Sequence, residues 1–286
     1  MDISIGIMAY NEGKNIGKLL ESINQQHLED VFIREIIVVS SASTDETNNI
    51  VLWYAKTNSK IRLLTEKKRK GKASAINRFL KAAKSDVLVM ISADTCPGKD
   101  SVEKICAPLK DKKTGIVAAR PVPLNPEKGI INRIVRLQWR LHHLLSCKNP
   151  KYGEMIAFRR LFSKIDNTAV DEEHIAMLVK SKAMLGAYEP RAVVYNKGPD
   201  NLIGFLRQRR RIYCGHLKLK RKNNYSCASF RAKEVIKAAL KDLNKKNFMI
   251  YFIAAFFEVS GRAIGFFDYY LGKKHYVWKV AKSTKF

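Results

Sequence analysis

The sequence predicts an α/β fold: a mostly parallel central sheet flanked by helices, with a C-terminal helical segment of different composition. Three observations carry this. Short runs rich in Val and Ile alternate with segments of helical spacing across short connections. Several of those runs end on polar or acidic residues, most clearly Val87-Leu88-Val89-Met90-Ile91-Ser92-Ala93-Asp94, which Pro97 closes. The tail then changes character, with an unbroken apolar run of ten residues from Phe248 to Phe257 after a basic stretch.

Ile3 to Met8 reads as the first strand and Ala9-Tyr10-Asn11-Glu12-Gly13 as its exit. Ile16, Leu19, Leu20 and Ile23 recur at helical spacing. Glu35 to Val39 is the second strand, and Ser40 to Asp45 leads into the next helix. Ile61 to Leu64 is a short third strand, and 72–84 is helical, with Ala75, Phe79 and Ala82 on one side. The run ending at Asp94 is too short for an ordinary helix and reads as a buried strand. Gly115 to Val122 and Glu154 to Phe158 continue the strand pattern. Ile130 to Leu145 and Asn201 to Lys222 are basic helices, and Asp171-Glu172-Glu173-His174 opens another. Acids in a first turn complement the helix dipole, so capping alone accounts for that trio structurally.

Lys and Arg number 53 against 26 Asp and Glu, a net +27 over 286 residues. Such an excess implies an anionic partner: nucleic acid, anionic lipid or a phosphorylated small molecule. No zinc, RRM or KH signature accompanies it and the basic residues cluster late in the chain, so nucleic acid is not the expected partner. Cys96, Cys106, Cys147, Cys214 and Cys227 are odd in number and scattered, which fits reduced thiols in a cytosolic compartment. The N-terminus shows no basic segment followed by a long apolar core, so no secretory signal is expected.

Set side by side, the strand exits are Tyr10-Asn11-Glu12, Ser41 to Asp45, Lys70-Gly71-Lys72 and Asp94. In an open α/β sheet such exits share one edge, where ligands gather. A carboxylate there suits a hard cation, and a cation suits a diphosphate. Neither G-x-x-x-x-G-K-[ST] nor G-x-G-x-x-G after a strand is present, which disfavours a P-loop enzyme and a dinucleotide dehydrogenase. Nucleotidyl transfer on a similar sheet stays open at this point.

Ala-Tyr-Asn-Glu (9–12), Val-Val-Ser-Ser-Ala-Ser-Thr-Asp (38–45), Gly-Lys-Ala-x-Ala-x-Asn (71–77) and Ser-Ala-Asp (92–94) resemble, in order, the motifs of family 2 glycosyltransferases. The likeness runs over about residues 3–215. It takes in Gly153 to Arg159, Val170-Asp171-Glu172-Glu173-His174, and Gln208-Arg209-Arg210-Arg211-Ile212, which is similar to the Q-x-x-R-W segment of membrane-associated members. The resemblance implies a GT-A-like nucleotide-binding domain over 1–225, with inversion at the sugar. It implies that Ala9, Tyr10, Glu12, Ser41, Asp45, Lys72 and Ala93 line the nucleotide-sugar site and that Asp94 holds Mg²⁺ or Mn²⁺. Glu172, with Asp171 next, would be the catalytic base, and Gln208, Arg209 and Arg211 would bind the acceptor or the diphosphate.

Three departures shape the expectation. Ser92 replaces the first acid of D-x-D, leaving Asp94 as the single direct carboxylate ligand. Ser40-Ser41 replaces an acidic pair that often reads the base, and Ile212 replaces the aromatic of polymer-making members. A single transfer to a lipid-linked or membrane-proximal acceptor is therefore expected rather than processive synthesis.

Residues 226–286 read as a membrane-associating segment. A spanning helix needs about twenty apolar residues without interruption, whereas Glu258, Arg262 and Asp268 interrupt this one. Glu258 and Arg262 share a stripe with Gly261 and Gly265, which leaves a broad apolar face suited to an in-plane or re-entrant helix. Trp139, Phe266, Tyr269, Tyr270 and Trp278, near Lys273 and Lys274, suit an anionic membrane interface. These features predict residence on the cytoplasmic face of the cell membrane. His142, His143 and His174 give no single reading: each fits a surface or interface position as well as chemistry.

Overall fold

The computed structural model describes residues 1–244 and 247–277. Eight strands form one sheet: β1 (Asp2–Ala9), β2 (Phe32–Ser41), β3 (Ile61–Glu66), β4 (Val87–Ser92), β5 (Thr95–Pro97), β6 (Thr114–Pro123), β7 (Met155–Arg159) and β8 (Leu185–Asn196). Their order is β3-β2-β1-β4-β7-β6-β8-β5. The half containing β1 to β4 is parallel throughout. Beyond it β7 runs antiparallel to both β4 and β6, while β6 and β8 are parallel. The sheet is thus mixed, with its parallel part where the motifs leave their strands.

Both faces of the strands are apolar, as a sheet covered on two sides requires. Ile5, Ile7, Ile36, Val38, Val89 and Ile91 face one layer, which holds Ile16, Leu19 and Leu20 of α1 (Ile16–Asn24) and Val51 of α2 (Thr47–Thr57). Ile37, Val39, Leu88 and Met90 face the other, where α3 (Lys72–Ala82) supplies Ile76 and Phe79. A short helix, α4 (Ser101–Cys106), joins the first layer, and α6 (Asp171–Lys180) joins the second through Ile175 and Val179.

A third body of apolar packing lies beside the sheet. α5 (Ile130–Ser146), α7 (Leu202–Asn223) and α9 (Phe248–Tyr270) meet through Ile134, Leu137, Phe205 and Ile250. The basic stretch before α9 contains α8 (Ala232–Asp242), while residues 245 and 246 and Trp278 lie outside the described residues. α9 is long and apolar enough to cross a bilayer, yet one of its faces is committed to α7. Gly261 lies against Arg209 and Gly265 against Arg210 and Tyr213. Glu258 and Asp268 also turn inward: Glu258 pairs with Arg262 at 2.8 Å and Arg209 at 3.5 Å, and Asp268 with Arg210 at 2.5 Å. Met249, Phe252, Phe256, Val259 and Phe267 recur at three- and four-residue spacing (with Ala263 between the last two) on the exposed face.

Candidate active site

The exits of β1 and β2 are laced together. Asn11, held at φ 53°, donates its backbone N–H to Ser43 Oγ at 3.1 Å and accepts from Thr44 N–H at 2.8 Å. Glu12 N–H donates to Thr47 Oγ1 at 2.8 Å. Asp45, expected at the nucleotide, spends its carboxylate on this lacing: Oδ2 accepts from Gly13 N–H at 3.0 Å and Oδ1 from Thr47 N–H at 3.1 Å. Glu12 Oε2 accepts from Asn15 Nδ2 at 2.7 Å. These contacts fix two loops whose backbones would otherwise be free to move, which is what a preformed ligand wall requires.

Ser41 is buried, and its hydroxyl donates to Glu66 Oε2 at 2.6 Å, while Ser74 of α3 donates to Oε1 at 2.6 Å. Glu66 therefore ties β2, β3 and α3 from below the cleft. Tyr10 is half-buried and its ring carries the Arg69 guanidinium 3.8 Å from the centroid, a cation–π stack. Neither Glu66 nor Arg69 was expected from the sequence: Glu66 ends a strand two residues later than its pattern, and Arg69 sits in a basic run, Lys67 to Lys70, that reads as solvated charge.

The acidic centre forms where α6 starts. Lys72, first residue of α3, reaches Glu172 Oε1 at 2.5 Å, with the two side chains only 19% and 16% exposed. Burial opposes the Lys72 charge, but Glu172 and Asp171 hold the ammonium well above its ordinary value. Burial likewise pushes Glu172 up, and the Lys72 charge and hydrogen bond outweigh it, so its carboxyl sits below its ordinary value. Asp171 is 2% exposed, and among the described residues its Oδ1 has no hydrogen-bond partner. Burial pushes its carboxyl up to about 7, with Lys72 pulling the other way and Glu172 adding to the rise. Glu173 faces elsewhere: Tyr152 N–H and the Tyr225 hydroxyl donate to its two oxygens at 3.1 and 2.8 Å. One trio thus contains a lysine-paired acid, a buried acid with a bare oxygen, and a framework acid.

Asp94 stands half-buried just beyond β4. Its neighbour is Glu154, at φ 49° directly before β7, whose backbone carbonyl accepts from Ser92 N–H at 2.8 Å and whose Oε1 accepts from Asn196 Nδ2 at 3.3 Å. Burial, then the charges of Asp94 and Glu172, push the Glu154 carboxyl up to about 7. Arg211 faces the same acids, and its Nη1 lies 3.5 Å from the Ala169 carbonyl; burial works against its charge while Asp171, Glu172 and Glu154 favour it. Gln208 lies half-buried one turn earlier on α7.

Arg209, expected beside Arg211 at the diphosphate, pairs instead with Glu258 of α9. Two residues apart on a helix leave it about 200° apart around the axis, yet the Arg209 charge is still felt at Arg211. Ala93 is buried and contributes backbone and shape.

Among the described residues no group of three or more His, Cys, Asp or Glu forms a ready ligand cage. The donor set around Asp94 nevertheless fits Mg²⁺ or Mn²⁺, because hard cations of this size are commonly held by one or two carboxylates together with substrate phosphates and water. The crowding of Asp94, Glu154 and Glu172, felt in the raised Glu154, is a local excess of negative charge that a divalent cation would relieve.

Comparison with known proteins bears on family and fold. A model described as glycosyl transferase family 2 matches residues 4–183. A dolichyl-phosphate beta-glucosyltransferase, ALG5D of Trichomonas vaginalis, is 29% identical over 143 residues, 46% of this chain and 42% of that protein. A probable glycosyltransferase, YdaM of Bacillus subtilis, is 25% identical over 231 residues, 73% of this chain and 54% of that protein. The chain spans about half or less of the length of these curated relatives. Among solved structures, mannosyltransferase PcManGT from Pyrobaculum calidifontis, in complex with GDP-Man and Mn²⁺, superposes with a TM-score of 0.64 at 21% identity, covering 92% of this chain and 73% of that one. Glucosyl-3-phosphoglycerate synthase from Mycobacterium tuberculosis, with Mn²⁺ and UDP, gives 0.51 at 22% identity, covering 74% and 77%. The two solved structures share the fold.

Proposed function

The chain belongs to glycosyl transferase family 2, and on that basis we propose that it moves a sugar, with inversion, from a nucleoside-diphosphate donor to a lipid-linked or membrane-proximal acceptor. The observation that carries this reading is the meeting of Lys72, Asp171, Glu172, Glu154, Asp94 and Arg211 at the edge where the parallel strands end. Residues from five separate segments supply both the negative groups a cation and a proton need and the positive groups a diphosphate needs.

In this reading Ala9, Tyr10, Glu12 and Ser41 wall the nucleotide, with Arg69 on the Tyr10 ring and Asp45 fixing the loops. Asp94, with Glu154 beside it, would hold Mg²⁺ or Mn²⁺, which when bound would supply stabilisation of the charge on the departing diphosphate. Glu172 accepts the proton of the acceptor O–H as its oxygen bonds to the anomeric carbon. The bond from that carbon to the diphosphate oxygen breaks, and the nucleoside diphosphate leaves with the electron pair. Lys72 keeps Glu172 ionised before the donor arrives. A diphosphate in the cleft competes for the same ammonium, which makes Glu172 more basic when it has a proton to take. Asp171 is too enclosed to meet an acceptor directly and tunes this pair from beneath; Arg211 serves the leaving group.

Residues 1–225 form the transferase unit and 226–286 the membrane segment. The exposed apolar face of α9, with its acids turned onto α7, supports in-plane residence on a bilayer rather than a span. Five free thiols suit the cytoplasmic side. A dolichyl-phosphate glucosyltransferase among the relatives supports a lipid-linked acceptor.

The test is turnover by the full chain of a panel of UDP- and GDP-sugars with Mn²⁺ and polyprenyl phosphate in vesicles. Release of nucleoside diphosphate with a glycosylated lipid is the expected result. Release of pyrophosphate would reassign the chain to nucleotidyl transfer, and no turnover of any donor would contradict the proposal.

A further inference from the structure

A cavity of about 300 Å³ lies on the flank of α6, apart from the acidic centre. Asp166 and His174 line one side, the last turns of α7 bring Lys218, Arg221 and Lys222 to it, and Tyr269 of α9 closes it. Neither Lys72, Asp94, Glu154, Asp171 nor Glu172 lines it. Two independent features mark it as a built site. His174 in its wall is only 6% exposed, and among the described residues its enclosed Nδ1 has no hydrogen-bond partner. Three cations converge on the same space against one carboxylate, and each is already oriented. Lys222 pairs with Asp166 at 3.0 Å, Lys218 Nζ donates to the Lys273 carbonyl at 3.0 Å, and the Arg221 guanidinium stands 5.2 Å from the Tyr269 ring centroid.

We propose that this cavity binds a phosphate ester through Lys218, Arg221, Lys222 and His174. Guanidinium and ammonium donors match phosphate oxygens, and a dianion answers the surplus of positive charge better than a single carboxylate does. The volume admits a headgroup-sized ligand. The ester is either an anionic lipid headgroup, reached from the neighbouring exposed face of α9, or a free phosphate ester. Its position gives it a route to the chemistry: Ala169 also lines the cavity, its carbonyl faces Arg211, and the chain then passes through Val170 to Asp171. Occupancy steadies the segment that delivers the acids. The site does not depend on the transferase reading, because binding is measured without turnover.

The experiment titrates the full chain with glycerol 3-phosphate and, separately, with phosphatidylcholine vesicles with and without phosphatidic acid, following the His174 imidazole by NMR. Saturable binding that moves the His174 resonances is expected. Lys218→Gln with Lys222→Gln should weaken it about tenfold or more, the loss of at least one charge-assisted contact. Arg221→Gln with Lys222→Gln, both exposed side chains, gives a second route to the same loss should the first pair disturb folding. The charge-matched control Lys237→Gln with Lys241→Gln, on α8, should leave binding unchanged. Binding of the soluble ester identifies a free phosphate as sufficient, and binding of phosphatidic acid vesicles alone identifies a lipid headgroup; either supports the site. Absence of saturable binding, unmoved His174 resonances, or equal weakening in the α8 control would overturn it.

Discussion

Lys72 and Glu172 stand 100 residues apart in sequence and 2.5 Å apart in the cleft. The pair makes a specific statement about pH. Glu172 is held below its ordinary value of 4.5, chiefly by Lys72 working against burial, so the acid limb of the rate profile depends on that ammonium. Lys72→Met should move the acid limb of kcat to higher pH and lower kcat at neutral pH, where the base is then partly protonated. A rate profile of the variant that keeps the wild-type acid limb would separate Lys72 from the base.

Asp171 and Glu154 carry the opposite sign. Each binds its proton more tightly folded than unfolded, rising from 3.8 and 4.5 to about 7. The folded chain therefore holds more protons between those limits, and their contribution to stability is greatest below about 4 and declines as pH rises toward 7. A divalent cation that neutralises this site should raise Tm more at pH 8 than at pH 5.5, where protons already occupy it. Equal Mn²⁺ shifts at the two pH values would count against a cation beside Asp94 and Glu154.

Glu173 is framework. Tyr225→Phe removes the hydroxyl that satisfies Glu173 Oε2 and should cost about 1–3 kcal/mol, the range for leaving a buried acceptor without its partner. Denaturant melts measure that loss, and KM for donor should stay within twofold, roughly, because Tyr225 touches none of the acids facing the cleft. A large change in KM with no change in stability would place Tyr225 at the substrate instead.

α9 is held to α7 by contact too close for a side chain. A Cβ on Gly265 would stand 2.5 Å from the Arg210 carbonyl oxygen, a backbone atom on a packed helix. Gly265→Leu should pry the helices apart, weaken the Arg210–Asp268 pair and cost about 1–3 kcal/mol, as overpacking does. Phe252→Asp with Phe256→Asp, on the exposed face, should leave Tm unchanged and abolish flotation with anionic vesicles. Retained flotation would remove α9 as the membrane contact.

Much of this was legible in the chain. The parallel half of the sheet follows from apolar runs such as Val87 to Ile91, and the exits at Tyr10, Ser41, Lys72 and Asp94 fall on one edge because parallel strands end on one side. β8 was not legible. Pro190 interrupts it, Glu189 and Arg191 pair with each other, and its register against β6 shifts between Ala119 and Arg120, so no clean alternation reaches the sequence. The short elements β5 and α4 carry too few residues to show a period. Glu154 and Arg69 escaped for a different reason: their roles come from neighbours, Asp94 and Tyr10, supplied by distant segments. The division of labour in Asp171-Glu172-Glu173 is also a tertiary fact, since three consecutive acids on a first turn look alike until Lys72 and Tyr225 choose among them.

The proposed reaction requires Asp94 and Glu172 to act on one sugar nucleotide from two sides of one cleft. It is tested by nucleoside-diphosphate release from the accepted donor by Asp94→Asn and Glu172→Gln, each checked for an unchanged Tm. Each variant should lose about 100-fold or more in kcat. Wild-type turnover in both, with the fold intact, would contradict it.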